Sequence, residues 1–299
     1  MRPRILFAAL TLSGAFAAAS CGSNTDTSSP PVTAGPSTTS IAPAASAADS
    51  TSPMPMDSSM STDGMHMGDA APATGLTVHV DTPTITAGES ANLSFRVVAA
   101  DGSIVNEYQV EQTKELHLVL VRSDLTGYQH LHPTRSSDGT WSVPVTFEQG
   151  GTYRVVADFT PIIDGAATGR TAITTDITVA GAGSDTPLPA PATSTTVDGY
   201  TVAVSGDLSS SAESALTFTV TDAAGKPTAL EPYLGAFGHL VAFAQSDLAY
   251  THIHPSSADE AMGELTFTGQ VAAPGLHRLY MQFAANGKVH TAGFTIDAT

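Results

Sequence analysis

Tyr128–Pro133 reads YQHLHP, and Tyr250–Pro255 reads YTHIHP. Each stretch sets two imidazoles at i and i+2, the spacing that puts side chains on one face of a β-strand. Upstream of each pair a further histidine opens an apolar run, His117 in HLVLVRS and His239 in HLVAFAQ. Neutral imidazole suits Cu(II), Zn and Ni, and three nitrogens leave one position open for water or an exchanging ligand. The candidate metal ligands are therefore His117, His130 and His132, and separately His239, His252 and His254. The competing reading is structural: a ring N–H caps a loop, and Pro133 or Pro255 ends a strand. A third reading is a pH sensor, because clustered imidazoles repel one another once protonated.

A second set of ligand types sits in MPMDSSMSTDGMHMGD. Met54, Met56, Met60, Met65 and Met67 bring thioethers close together beside His66. Methionine usually fills cores, but the flanking residues here supply none. Soft thioether ligands select Cu(I), so this segment is a candidate copper site. Its competitors are compositional drift and a disordered segment that folds on a partner.

The elements that must position the histidines are short and β-rich. From Leu76 onward, runs such as ANLSFRVVA, ELHLVLV, TWSVPVTF and TYRVVADF alternate with Gly, Asp and Pro punctuation. Strands at this spacing predict a β-sandwich or barrel. If HLVLVRS and TGYQHLH pair as a hairpin turning near Asp124–Leu125, His117 faces His132 and Val119 faces His130. Leu131 then points away, into the core. The second copy sets His239 against His254 in the same way. Asp124 and Asp247 recur in SDL and read as turn aspartates bonding their own backbone. Arg154 and Arg278 recur as ion-pair partners on a strand, and His277 and His290 read as surface variation at the places of Tyr153 and Arg170.

The body is written twice. HLVLVRSDLTGYQHLHP matches HLVAFAQSDLAYTHIHP, and GGTYRVVADF matches PGLHRLYMQF. The expected organisation is residues 1–20 as a signal peptide, 21–74 as a disordered tether, 75–180 as the first β-domain, 181–196 as a linker and 197–299 as the second. The tether is rich in Ser, Thr, Ala and Pro and cannot bury enough apolar surface to offset its ordering entropy. Lysine and arginine number 11 against 28 acids, a net charge of −17, which argues against nucleic acid as a partner. Cys21 is the single cysteine, so disulfides and thiolate catalysis in the folded body are excluded. No phosphate loop, nucleophile elbow or paired-carboxylate spacing points to an enzyme.

Two resemblances add to this. MRPR followed by ILFAALTLSGAFAAASC resembles a bacterial lipoprotein signal, in which cleavage precedes a lipidated cysteine, here Cys21; Ala18 stands where leucine is usual. The pattern DL…HLHP…GTYR…DF resembles a domain of bacterial secreted and lipid-anchored proteins. That resemblance implies tandem immunoglobulin-like or cupredoxin-like β-sandwiches and a suspected role in copper or heavy-metal handling. It points to the same six histidines, and His277 and Gln282 are where the second copy departs. The expectation is an extracytoplasmic, lipid-anchored, monomeric protein that binds copper, or zinc, for capture, delivery or tolerance, with another envelope protein as a partner. The alternative is a tandem module that binds a protein or glycan and uses its histidines for packing.

Overall fold

The computed structural model describes residues 75–82 and 84–299. The expected signal peptide and tether, with Cys21 and the methionines, lie outside these residues. The first repeat runs β1 (Thr77–Val80), β2 (Ile85–Thr86), β3 (Ser90–Val98), β4 (Tyr108–Gln109), β5 (His117–Arg122), β6 (Gln129–Leu131), β7 (Thr134–Arg135), β8 (Trp141–Thr146), β9 (Gly151–Ile163), β10 (Ala166–Ala167) and β11 (Thr171–Ala180). The second runs β12 (Ser194–Val197), β13 (Tyr200–Gly206), β14 (Ser214–Thr221), β15 (Gly238–Ala244), β16 (Tyr250–Asp259), β17 (Glu264–Gly269), β18 (Gly275–Ala285) and β19 (Lys288–Ala298). Among the described residues there is no α-helix, and no helix is long and apolar enough to cross a membrane.

The first repeat stacks a β1-β3-β8-β7 sheet on a β2-β11-β9-β5-β6 sheet. This is the immunoglobulin arrangement of an ABED sheet facing a CFG sheet. The second repeat orders its strands β12-β13-β14-β17-β16-β15-β18-β19. Here β16 pairs with β15 through its first half and with β17 through its second, with a register shift between Pro255 and Ser257. In the first repeat the same crossing is split into β6 and β7 on either side of His132–Pro133. Proline has no N–H to give a ladder, so each H-x-H-P stands where a strand leaves one sheet for the other.

Each sandwich has its own core. Leu93, Phe95, Leu118, Leu120, Trp141, Val155 and Ala157 pack in the first, and Phe218, Leu240, Ile253, Phe267, Met281 and Phe294 in the second. The other face of β5 and β15 is buried as well. Val119, Val121, Leu125 and Val156 meet Val241, Phe243, Tyr250 and Tyr280 in a third apolar cluster between the repeats. Burial on both faces is why HLVLV and LVAFA read as nearly continuous apolar runs and not as alternating ones.

The segment between the repeats is tied to the first one. Thr186 N–H donates to Asp124, Ser184 O accepts from Arg122, and Leu188 packs on the third cluster. β12 begins at Ser194, inside the stretch that composition reads as linker.

Candidate metal centre

β5 and β6 pair through Leu118–Leu131 and Val119–His130, the register expected from the sequence, which carries on to set His117 beside His132. The three imidazoles share one face of this hairpin, and Leu131 packs against the core. Their ligand nitrogens all lie within 4.8 Å of one another. Nδ1 of His117 is 3.1 Å from Nε2 of His130 and 3.3 Å from Nε2 of His132. Two nitrogens bound tetrahedrally at 2.0–2.1 Å from one zinc-sized ion stand roughly 3.3 Å apart. The two contacts of His117 have the spacing of ligands around one ion.

The outer partners assign the tautomers of His117 and His130. His117 Nε2 faces the carbonyl of Glu111 at 3.3 Å, and a carbonyl only accepts, so Nε2 carries the proton. Gln282 Nε2 donates to Thr291 Oγ1, which turns Oε1 toward His130 Nδ1 at 2.7 Å. His130 Nδ1 therefore donates, and its Nε2 is a lone pair. His117 Nδ1 and His130 Nε2 thus present two lone pairs to each other with no proton between them. Burial lowers the pKa of all three rings, His130 to about 4 and His132 to about 3, so they are neutral at pH 7. Ligating histidines are commonly oriented in this way, through the ring N–H remote from the ion.

The second trio is built differently. β15 and β16 pair through Leu240–Ile253 and Val241–His252, again the expected register. Yet among the described residues only the first trio brings three ligand atoms together. Arg170 of the first repeat enters the second set: its Nη1 donates to Nε2 of His254 at 3.0 Å, and its Nη2 lies against Nδ1 of His252. Nδ1 of His252 also sits 2.8 Å from Oδ2 of the fully buried Asp158. Burial raises the Asp158 carboxyl, but Arg170 and His252 outweigh it and hold it well below the usual carboxylate range. His252 is held neutral by burial and by the same arginine. His239 is buried, and its Nε2 donates to the Tyr233 carbonyl at 2.9 Å.

The difference traces to the residues opposite the first histidine of each trio. His117 pairs with Asp158, and His239 pairs with Gln282. The contacts across the seam are reciprocal: His130 reaches Gln282 of the second repeat, and His252 reaches Asp158 of the first. Sequence reading marked Gln282 only as a departure and missed Asp158 and Arg170. The one signal for them was that the second copy has no carboxylate where Asp158 stands. Register corrects one alignment: Thr171 lies opposite Phe159 and His290 opposite Phe283, so His290 answers to Thr171, and Val289 takes the place of Arg170.

Asp124 and Asp247 accept from the backbone two residues on, as turn aspartates do. Arg154 pairs with Asp176, whereas Arg278 donates to Thr295 and lies over the Tyr280 ring. His277 and His290 are buried and not on the surface; they face the Gly275 carbonyl and the Asp198 carboxylate. Met54, Met56, Met60, Met65, His66 and Met67 lie outside the described residues, as does Cys21.

Residues 71–178 and 195–299 each match one and the same protein-family description. The chain belongs to the DUF8832 family, a domain of unknown function. The two sandwiches are thus two DUF8832 repeats. None of the curated proteins matches the chain. Among solved structures, the Escherichia coli adhesin FdeC is similar at 18% identity over 77% of this chain and 66% of that one, with a TM-score of 0.25. Invasin, a bacterial integrin-binding protein, is similar at 16% identity over 74% and 39%, TM-score 0.22. The fibronectin(III)-like modules of Clostridium thermocellum CbhA are similar at 12% over 74% and 93%, TM-score 0.21. The chain spans less than two thirds of FdeC and of invasin, and these likenesses carry no argument about function.

Proposed function

We propose that this DUF8832 protein is an extracytoplasmic metal-binding protein that holds one transition-metal ion, copper(II) or zinc, on His117, His130 and His132. One observation carries the reading: Nδ1 of His117 lies 3.1 Å from Nε2 of His130 and 3.3 Å from Nε2 of His132, while the far ring nitrogens of His117 and His130 face the Glu111 carbonyl and Gln282 Oε1. A cation among the three near nitrogens takes up their lone pairs together. The residues fit such an ion in donor type, spacing and outer-shell support. The N-terminal resemblance to a lipoprotein signal supports anchoring at Cys21, and the methionines of residues 54–67 supply soft ligands for Cu(I) on the same chain. Bound metal at the trio would be held for storage or transfer.

The test is titration of the folded chain with Cu(II) and Zn(II). One ion per chain is expected on the trio. His130→Ala and His132→Ala should weaken binding by more than the roughly 10–100-fold that loss of an outer-shell partner costs. Unchanged affinity and stoichiometry would remove the metal reading. The second reading is a tandem immunoglobulin-like module that binds a protein or glycan of the envelope, with the histidines as packing. The fold supports it, since the β1-β3-β8-β7 sheet turns alternate side chains of β3 and β8 away from the core. It expects the same stability with and without a chelator.

A further inference from the structure

We propose that His239 of the second repeat is the fourth ligand of the first trio, so that a single ion is shared across the seam between the two repeats. This rests on the metal reading above. It replaces two equal three-histidine sites with one four-histidine site.

Two buried ring nitrogens among the described residues have no hydrogen-bond partner: Nδ1 of His239 and Nε2 of His252. His239 is 2% exposed. An orphaned lone pair in so dry a place calls for a partner. His239 is oriented like His117. Each gives its Nε2 proton to the carbonyl six residues upstream, Tyr233 and Glu111, and keeps Nδ1 as a lone pair. The His239 ring centre lies 6.0 Å from that of His130, little beyond the 4.8–5.3 Å between rings within the trio.

His252 is the weaker candidate. Its ring is 6.4 Å from that of His117 and stacks on His254, and the Arg170 guanidinium lies against it. A fixed cation there repels a metal cation. The second repeat has Val289 at the matching place, so no arginine stands beside the first trio from that side. Arg170 bonds to both His252 and His254, whereas no hydrogen bond reaches Nδ1 of His239. An all-imidazole site with four nitrogens is closed and tetrahedral, the form of a holding site rather than one that keeps a position open.

Co(II) and Zn(II) are the probes, on the whole chain. The unmutated protein should give the intense visible bands of tetrahedral Co(II). His239→Ala should weaken Zn(II) binding about tenfold or more and change the Co(II) bands, while His254→Ala leaves both unchanged. Ring 15N spectra of the unmutated chain should show His239 Nδ1 shifting on Zn(II) addition, which guards against a variant that misfolds. If His117→Ala and His130→Ala abolish binding but His239→Ala changes neither affinity nor bands, and His239 Nδ1 does not shift, the fourth ligand is wrong and the trio stands. If His117→Ala and His130→Ala leave binding intact, both readings fall.

Discussion

At the scale of single residues, the histidines are set by what they touch on the side away from one another. The Gln282 amide is turned by Thr291 and in turn fixes which nitrogen of His130 carries the proton. Gln282→Leu keeps every ligand yet removes that orientation. It is expected to weaken Zn(II) binding roughly 10–100-fold, read by competition titration. The lowered pKa values set the acid behaviour of the metal-free chain. His130 and His132 titrate near 6.5 when unfolded but at about 4 and about 3 when folded. Between these values the unfolded chain binds more protons, so stability is full above pH 6.5 and falls as pH drops toward 4. The urea midpoint of metal-free protein should fall over that window. The double variant His130→Gln/His132→Gln should show a shallower fall. Equal slopes would mean that other groups dominate.

At the scale of elements, the alternation of the H-x-H strand separates two jobs. His252 and His254 face outward from their sandwich, and Ile253 between them is 2% exposed in the core. The strand is held by what the isoleucine buries, and the histidines are carried along by the pleat. Ile253→Ala should lower the unfolding free energy by about 2–5 kcal/mol in a denaturant titration. It should weaken Zn(II) binding far less than His117→Ala does, because the Ile253 side chain points into the core and carries no ligand. A loss as large as that of His117→Ala would show that core packing of this hairpin, and not the ligands alone, sets the affinity. The SDL turns have a cost of their own. Leu125 and Leu248 sit at φ of 62° and 61°, a left-handed conformation that is unfavourable for leucine. In the first repeat the turn aims the Leu125 carbonyl at the Tyr280 hydroxyl of the second.

At the scale of the molecule, the repeats meet as an isologous dimer does, each using the same sheet, but on one chain. Tyr128 and Tyr280 stack across the seam at 4.0 Å and 9°, and Val119, Val121 and Val156 pack against Val241 and Phe243. Covalent linkage lets the two halves diverge where a true dimer could not. Asp158 and Arg170 face one trio, and Gln282 faces the other. Tyr280→Ala removes the stack and the hydroxyl bond together. A loss of about 3–5 kcal/mol is expected, with calorimetric melting that separates into two transitions as the repeats uncouple. A single unshifted transition would show that the seam contributes little.

The sequence by itself determined the strands, their duplication, the hairpin register and the shared face of His117, His130 and His132. Those follow from the period-two pattern and from comparing one half of the chain with the other. Only the tertiary structure decided that the two histidine faces turn toward each other, because both faces of β5 and β15 are apolar enough to be buried and nothing local says what covers them. It also decided which trio stays open. Asp158, Arg170, Gln282 and His239 come from four strands or strand ends far apart in the chain. Their effect on one another depends on distances across the seam that no spacing in the sequence records.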